Sequence, residues 1–137
     1  MQLTIPQCLY SQLIQEAKHH FPQECCGYLL GSTQGQNNLL QSYIPMPNTH
    51  KTPQTHFAFD PLDQLQAFGI LKQKRLQIIG VFHSHPNSPP IPSQEDLRFS
   101  FFVTQSFLII SLKNGITFAS YRINAHKAKK EKIEILS

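Results

Sequence analysis

Nowhere in these 137 residues do about eighteen apolar residues follow one another, so no segment has the apolar length a membrane-spanning helix needs. The first residues, Met1-Gln2-Leu3-Thr4-Ile5-Pro6-Gln7-Cys8, lack both the basic start and the unbroken apolar core of a secretory leader. Cysteine is scarce: there are 3, an odd number, with no Cys-x-x-Cys pair. Two of them, Cys25 and Cys26, are neighbours, where a mutual disulfide would be strained. A reducing compartment follows, and the expected location is the cytoplasm with no membrane partner. Charge is also sparse, at 15% of residues against 40% hydrophobic, which excludes disorder along most of the chain and permits a buried core. No internal repeat or flexible linker occurs, and a chain of this length fits one core.

The formal net charge is +4, and much of that excess sits in Lys127, Lys129, Lys130 and Lys132. Residues 125–137 therefore read as a basic C-terminal tail, solvated and frayed, behind a domain of residues 1–124. The run is too short to imply a nucleic-acid partner.

Periodicity divides the domain. Behind Pro6, which suits a first helical turn, Leu9, Leu13, Ile14 and Ala17 recur at helical spacing up to His19 and His20. Phe21-Pro22 ends that helix. Residues 25–31, short, apolar and bounded by turn residues, read as a strand buried on both faces, and residues 39–44 pair with it as a hairpin. Prolines 45, 47 and 53 mark a loop. The alternation in residues 56–60 predicts a short strand, and Pro61 opens a helix whose Leu62, Leu65, Phe68 and Leu71 form one apolar face. Residues 77–82 form a central strand running straight into His83-Ser84-His85-Pro86. Beyond Pro86, Pro89, Pro90 and Pro92, Ser93 starts a helix expected to reach about residue 100. Strands at residues 107–112 and 117–123 flank the turn signal Asn114-Gly115.

The chemistry begins where the central strand ends. Side chains two apart on a strand share a face, so His83 and His85 can aim both imidazoles at one point. The proline-stiffened loop can return the first turn of the next helix beneath them, offering Asp96 as an anionic third ligand. Three protein ligands leave a fourth tetrahedral position open, as a catalytic zinc requires, at one zinc per chain. Glu24, at the mouth of the strand at residues 25–31, is the candidate general base, and Ser93 could donate to the oxyanion of a tetrahedral intermediate. Taken singly, each residue has a plainer reading. A His-Ser-His triplet can be a surface pair, Ser93 and Asp96 a helix cap, and Glu24 a solvated loop residue. His19, His20, His50, His56 and His126 lack a partner pattern and read as surface residues, although His56 could line a substrate groove. Cys25 and Cys26 read as small buried residues.

Glu24, the His83-Ser84-His85-Pro86 segment, Ser93 and Asp96 together resemble the JAMM motif of the MPN-plus (Mov34/MPN) metallopeptidases, in a compact prokaryotic-type form. The similarity extends to residues 22–31, to Pro47-Asn48, to residues 57–61 and to Gly80. The resemblance implies an α/β domain like that of the cytidine deaminases: one mixed JAB/MPN sheet, centrally placed and flanked by helices. It further implies zinc-dependent hydrolysis of an amide bond at the C-terminus of a ubiquitin-like or sulfur-carrier protein. His83, His85 and Asp96 would be the ligands, Glu24 the base and Ser93 the oxyanion donor. A substrate tail could lie beside an exposed strand and be read through its main chain. A homodimer is compatible with a domain of this size.

Two other classes share these residues. A non-enzymatic protein-binding module could use the metal only to brace a loop. Two histidines and a carboxylate also describe a ferrous oxygenase site.

Overall fold

The computed structural model describes residues 1–98 and 104–137. A strand, β1 (Gln2–Pro6), precedes helix α1 (Gln7–His20), and Pro6 is both the last residue of one and the N-cap of the other. Next come β2 (Cys26–Gln34) and β3 (Asn37–Met46), an antiparallel hairpin that turns through Gly35 at φ 62°. Helix α2 (Pro61–Lys74) starts on Asp60, whose carboxylate accepts the Leu62 N–H at 3.1 Å. Strand β4 (Gln77–His85) follows, then a single 3-10 turn (Asp96–Arg98), and then β5 (Ser106–Ser111), β6 (Thr117–Asn124) and β7 (Lys127–Leu136).

The seven strands close into a barrel in the order β1-β3-β2-β4-β5-β6-β7, because β1 pairs parallel with both β3 and β7. The sheet is mixed, as the resemblance implied: β4 runs antiparallel to β2 and parallel to β5. It is not an open central sheet between helix layers, and only two α-helices occur among the described residues. The two strands that residue patterning did not foresee, β1 and β7, are the ones that satisfy the sheet's edges.

Two apolar clusters occupy the two faces. Leu29 of β2, Phe82 of β4, and Leu108 and Ile110 of β5 pack with Leu13 and Ala17 of α1. Their alternates Leu30, Val81, Phe107 and Ile109 pack with Phe57 and with Ala67 of α2. Continuous apolar runs in β2 and β5 are what burial on both faces demands. The strands also approach too closely for larger side chains at two points. A Cβ on Gly80 would collide with the Ser106 carbonyl, and one on Gly27 with the Ile44 carbonyl and the Phe82 ring.

Four expectations change. The basic run at residues 127–136 is a strand and not a frayed tail, since its lysines keep their side chains in water while the backbone pairs with β6 and β1. Residues 56–60 form no strand, because the N–H and C=O of Ala58 bond to Asn48 and Thr49 instead of a neighbouring strand. On α2 the expected inward face is largely outside: Leu62 and Leu65 are 71% and 65% exposed, and the residue it buries is Ala67. Gln64 Nε2 donates to the Tyr28 hydroxyl at 2.9 Å, fixing a rotation that turns the leucines away. The helix expected from Ser93 is a turn plus the 3-10 turn, and residues 99–100 lie outside the described residues.

Candidate metal centre

β4 lies between β2 and β5, and its C-terminal end carries His83 and His85 into the domain, 0% and 4% exposed. Their Nε2 atoms are 2.9 Å apart. Asp96 Oδ2 stands 3.3 Å from His83 Nε2 and 3.4 Å from His85 Nε2. A tetrahedral zinc with bonds of about 2.0–2.1 Å sets its ligand atoms roughly 3.3 Å apart, so these three atoms have the spacing a bound ion would impose.

Their hydrogen bonds point the same way. His85 Nδ1 lies 2.8 Å from the Pro89 carbonyl, which can accept only from a protonated nitrogen. Nδ1 therefore carries the proton, and the Nε2 lone pair is aimed at the cluster, as in metal-ligating histidines. His83 is held by packing instead, its ring 4.6 Å from Phe57 and 4.8 Å from Phe107, and its buried Nδ1 has no hydrogen-bond partner. Two imidazole nitrogens and a carboxylate oxygen crowd together out of water, an arrangement that suits a cation.

Charge within the cluster is skewed accordingly. Burial alone would raise the Asp96 pKa, but His83, His85 and the Ser93 N–H hold the carboxyl well below the usual range. Burial depresses His83, with partial relief from Asp96. For His85 burial works downward too, yet the bonds to Asp96 and the Pro89 carbonyl leave it raised.

Glu24 sits just before β2, whose Cys26 is in register with His83. It is 3% exposed, and its Oε1 has no hydrogen-bond partner. Burial lifts its pKa from 4.5 to about 8, against a downward pull from His85 and with a further push from Asp96 and Glu95. Ser93, half-buried, is tied to Asp96 by two backbone-to-side-chain bonds. Beside the cluster opens a cavity of about 750 Å³, lined by His56, Phe57, Phe59, Gln64, Glu95 and Asp96 among others.

Residues 6–124 match the model of the prokaryotic homologs of the JAB domain. The chain belongs to that family. A probable TtuB-protein conjugate cleaving protease of Thermus thermophilus is 33% identical over 86 residues, 63% of this chain and 57% of that protein. A desampylase of Pyrococcus furiosus is 36% identical over 96 residues, 70% of this chain and 64% of that one. The matched segment thus spans about 60% of the length of these curated relatives. The solution structure of a protein from Desulfitobacterium hafniense superposes with a TM-score of 0.87 at 30% identity, covering 100% of this chain and 94% of that one.

In this JAB-family chain three supporting residues had been given no role in the reading of the sequence. Ser84, between the two histidines, faces the other way: its Oγ accepts the Cys25 N–H at 2.8 Å and its N–H donates to the Cys25 carbonyl at 3.0 Å. That pair ties the Glu24 segment to the end of β4. Asn48 Nδ2 donates to the Glu24 carbonyl at 3.1 Å, and the Glu24 N–H donates to the Pro53 carbonyl at 2.7 Å. Pro89 is the third, through the carbonyl that orients His85. A polar residue within an apolar strand was a signal for Ser84, whereas no local pattern marks a backbone carbonyl such as that of Pro89. His56, expected as a groove residue, does line the cavity, and His50 is not the unpartnered surface residue it was read as.

Proposed function

We propose that this JAB-family chain is a zinc-dependent peptidase or isopeptidase. Its substrate would be the amide bond at the C-terminus of a ubiquitin-like or sulfur-carrier protein. The observation that carries this reading is the convergence of His83, His85 and Asp96 within 3.4 Å, with the buried, unpaired carboxyl of Glu24 close enough to feel the charge of His85 and Asp96. The names of the two relatives, a conjugate-cleaving protease and a desampylase, support the substrate class.

His83, His85 and Asp96 would hold the ion, and zinc bound there supplies a Lewis acid for the carbonyl and acidity for a water, whose pKa falls to roughly 7. Glu24, buried beside the cluster with its Oε1 free of hydrogen bonds, takes the proton of the attacking water and passes it to the departing amine. Asn48 and Pro53 fix its backbone. Ser93 Oγ accepts the Asp96 N–H, which leaves its own hydroxyl proton available for the substrate oxyanion. Strand β1 covers β3 only at Asn37–Leu39, so among the described residues the rest of β3 keeps an edge beside which the substrate tail could lie, and the cavity beside Phe57 and Phe59 offers a second seat. The test is incubation with small ubiquitin-like proteins extended or conjugated at their C-termini, read by mass spectrometry, beside Glu24→Gln. Cleavage by the parent that survives in Glu24→Gln removes Glu24 as base, and no cleavage of any such substrate removes the substrate class.

A further inference from the structure

A second set of metal-binding side chains meets on the rim of the same cavity. His50 and His56, both on the loop after β3, stack with ring centroids 4.8 Å apart and planes 14° from parallel. Their Nε2 atoms face the two oxygens of one carboxylate: His50 Nε2 is 3.3 Å from Glu95 Oε1, and His56 Nε2 is 3.0 Å from Glu95 Oε2. One ligand atom from each residue can be chosen so that all lie within 4.8 Å of one another. We propose that His50, His56 and Glu95 form a second, weaker site for a divalent transition-metal ion of the zinc class.

Two imidazoles and a carboxylate are a donor set that zinc accepts, and the nitrogen-to-oxygen separations already approach the roughly 3.3 Å between ligands of a tetrahedral ion. The side chains are partly open to solvent, so water can approach the site and complete the coordination. The orienting groups are present as well. Thr52 Oγ1 lies 3.1 Å from Nδ1 of both rings, and Thr55 Oγ1 lies 2.7 Å from His56 Nδ1. A hydroxyl oxygen that accepts from Nδ1 leaves the Nε2 lone pair for a metal.

One contact opposes loading and sets the order of affinity. The Thr52 N–H donates to His50 Nδ1 at 3.0 Å, which in the ion-free protein puts the neutral ring's proton on Nε2. Binding shifts that proton to Nδ1, with Thr52 Oγ1 as the new acceptor, and the exposed Thr52 N–H turns to water. That rearrangement makes this the weaker of the two sites. Its consequence follows from the loop's other duties. The same loop grips the Glu24 backbone through Asn48 and Pro53, and Glu95 adjoins Asp96. An ion on His50, His56 and Glu95 therefore fastens the loop that holds Glu24 to the turn that carries Asp96.

The experiment is a competition titration of the metal-free full chain with zinc or cobalt(II) against a chromophoric chelator, with the fold of each variant checked by circular dichroism. The parent is expected to bind in two steps. His50→Ala and Glu95→Gln, both surface changes, should keep the tighter step and lose the weaker, and Thr52→Ala should weaken the second step by about tenfold or more. His83→Ala should keep the weaker step alone. A parent with one step that His50→Ala leaves untouched overturns the proposal, as does a second step that survives both surface variants. A single step lost in His50→Ala but kept in His83→Ala would sustain this site and remove the zinc reading of the His83 cluster.

Discussion

Ser93 and Asp96 hold each other from both ends: the Ser93 N–H donates to Asp96 Oδ2 at 2.8 Å, and the Asp96 N–H donates to Ser93 Oγ at 3.0 Å. The same Oδ2 faces both histidines, so the bond that shapes the turn also orients the carboxylate. Ser93→Ala removes one of these bonds and the hydroxyl proton together. The expected result is a stability loss of about 1 kcal/mol. A fall in kcat equivalent to roughly 2.7–4 kcal/mol should accompany it if Ser93 serves the oxyanion. Metal content, measured on the same preparation, should stay at the parent level. A kcat that does not move would leave Ser93 as a turn residue only.

Glu24→Gln should keep the metal and lower turnover by about 10²–10⁴, the range of a lost proton carrier. The metal-free protein offers an independent check. Glu24 has a folded pKa of about 8 against an ordinary value of 4.5, so between these the folded state keeps a proton that the unfolded state has lost. Stability from this group is full below pH 4.5, falls as pH rises through that window, and levels off above about 8. Glu24→Gln removes the slope. After chelation its advantage over the parent should grow from near zero at pH 4.5 to about 1–3 kcal/mol at pH 8, a Tm gain of a few degrees per kcal/mol. Equal pH profiles for variant and parent would argue against a buried, unpaired carboxyl.

A buried ion pair braces the β6–β7 hairpin. Arg122 Nε donates to Glu131 Oε1 at 2.8 Å, Ser120 Oγ donates to Glu131 Oε2 at 2.7 Å, and Arg122 Nη2 reaches the Gln36 carbonyl at 2.9 Å. Glu131→Ala leaves a guanidinium buried without its partner, a change that should cost about 3–5 kcal/mol in urea unfolding. Arg122→Met with Glu131→Leu should cost much less, because removing both charges strands neither.

Thiol reactivity should divide by depth. Cys8 is exposed, whereas Cys25 and Cys26 are buried, and burial pushes Cys25 up to about 12 and Cys26 higher still. Alkylation of the folded protein at pH 8 should add one group per chain, and alkylation in denaturant three, as counted by intact mass. Rapid modification of Cys25 without denaturant would mean that the Glu24 segment opens.

Residue order alone determined much of this molecule. The apolar run ending in His83-Ser84-His85 reads as a strand and is one, delivering two imidazoles from one face, and Asn114-Gly115 sits in the β5–β6 turn with both residues at positive φ. The family was legible as a resemblance, from His83, His85, Ser93 and Asp96 at a motif's offsets with Glu24 well upstream. Tertiary structure decided what depends on partners distant in the chain. The lysine-rich end became β7 because its backbone finds β1 at the other end of the chain, which a local charge count does not register. α2 turned Leu62 and Leu65 outward, with Gln64 between them held by Tyr28, 36 residues away. His50 and His56 met Glu95 only once the loop had folded over the 3-10 turn, since a six-residue spacing in a loop has no fixed geometry until long-range hydrogen bonds impose one.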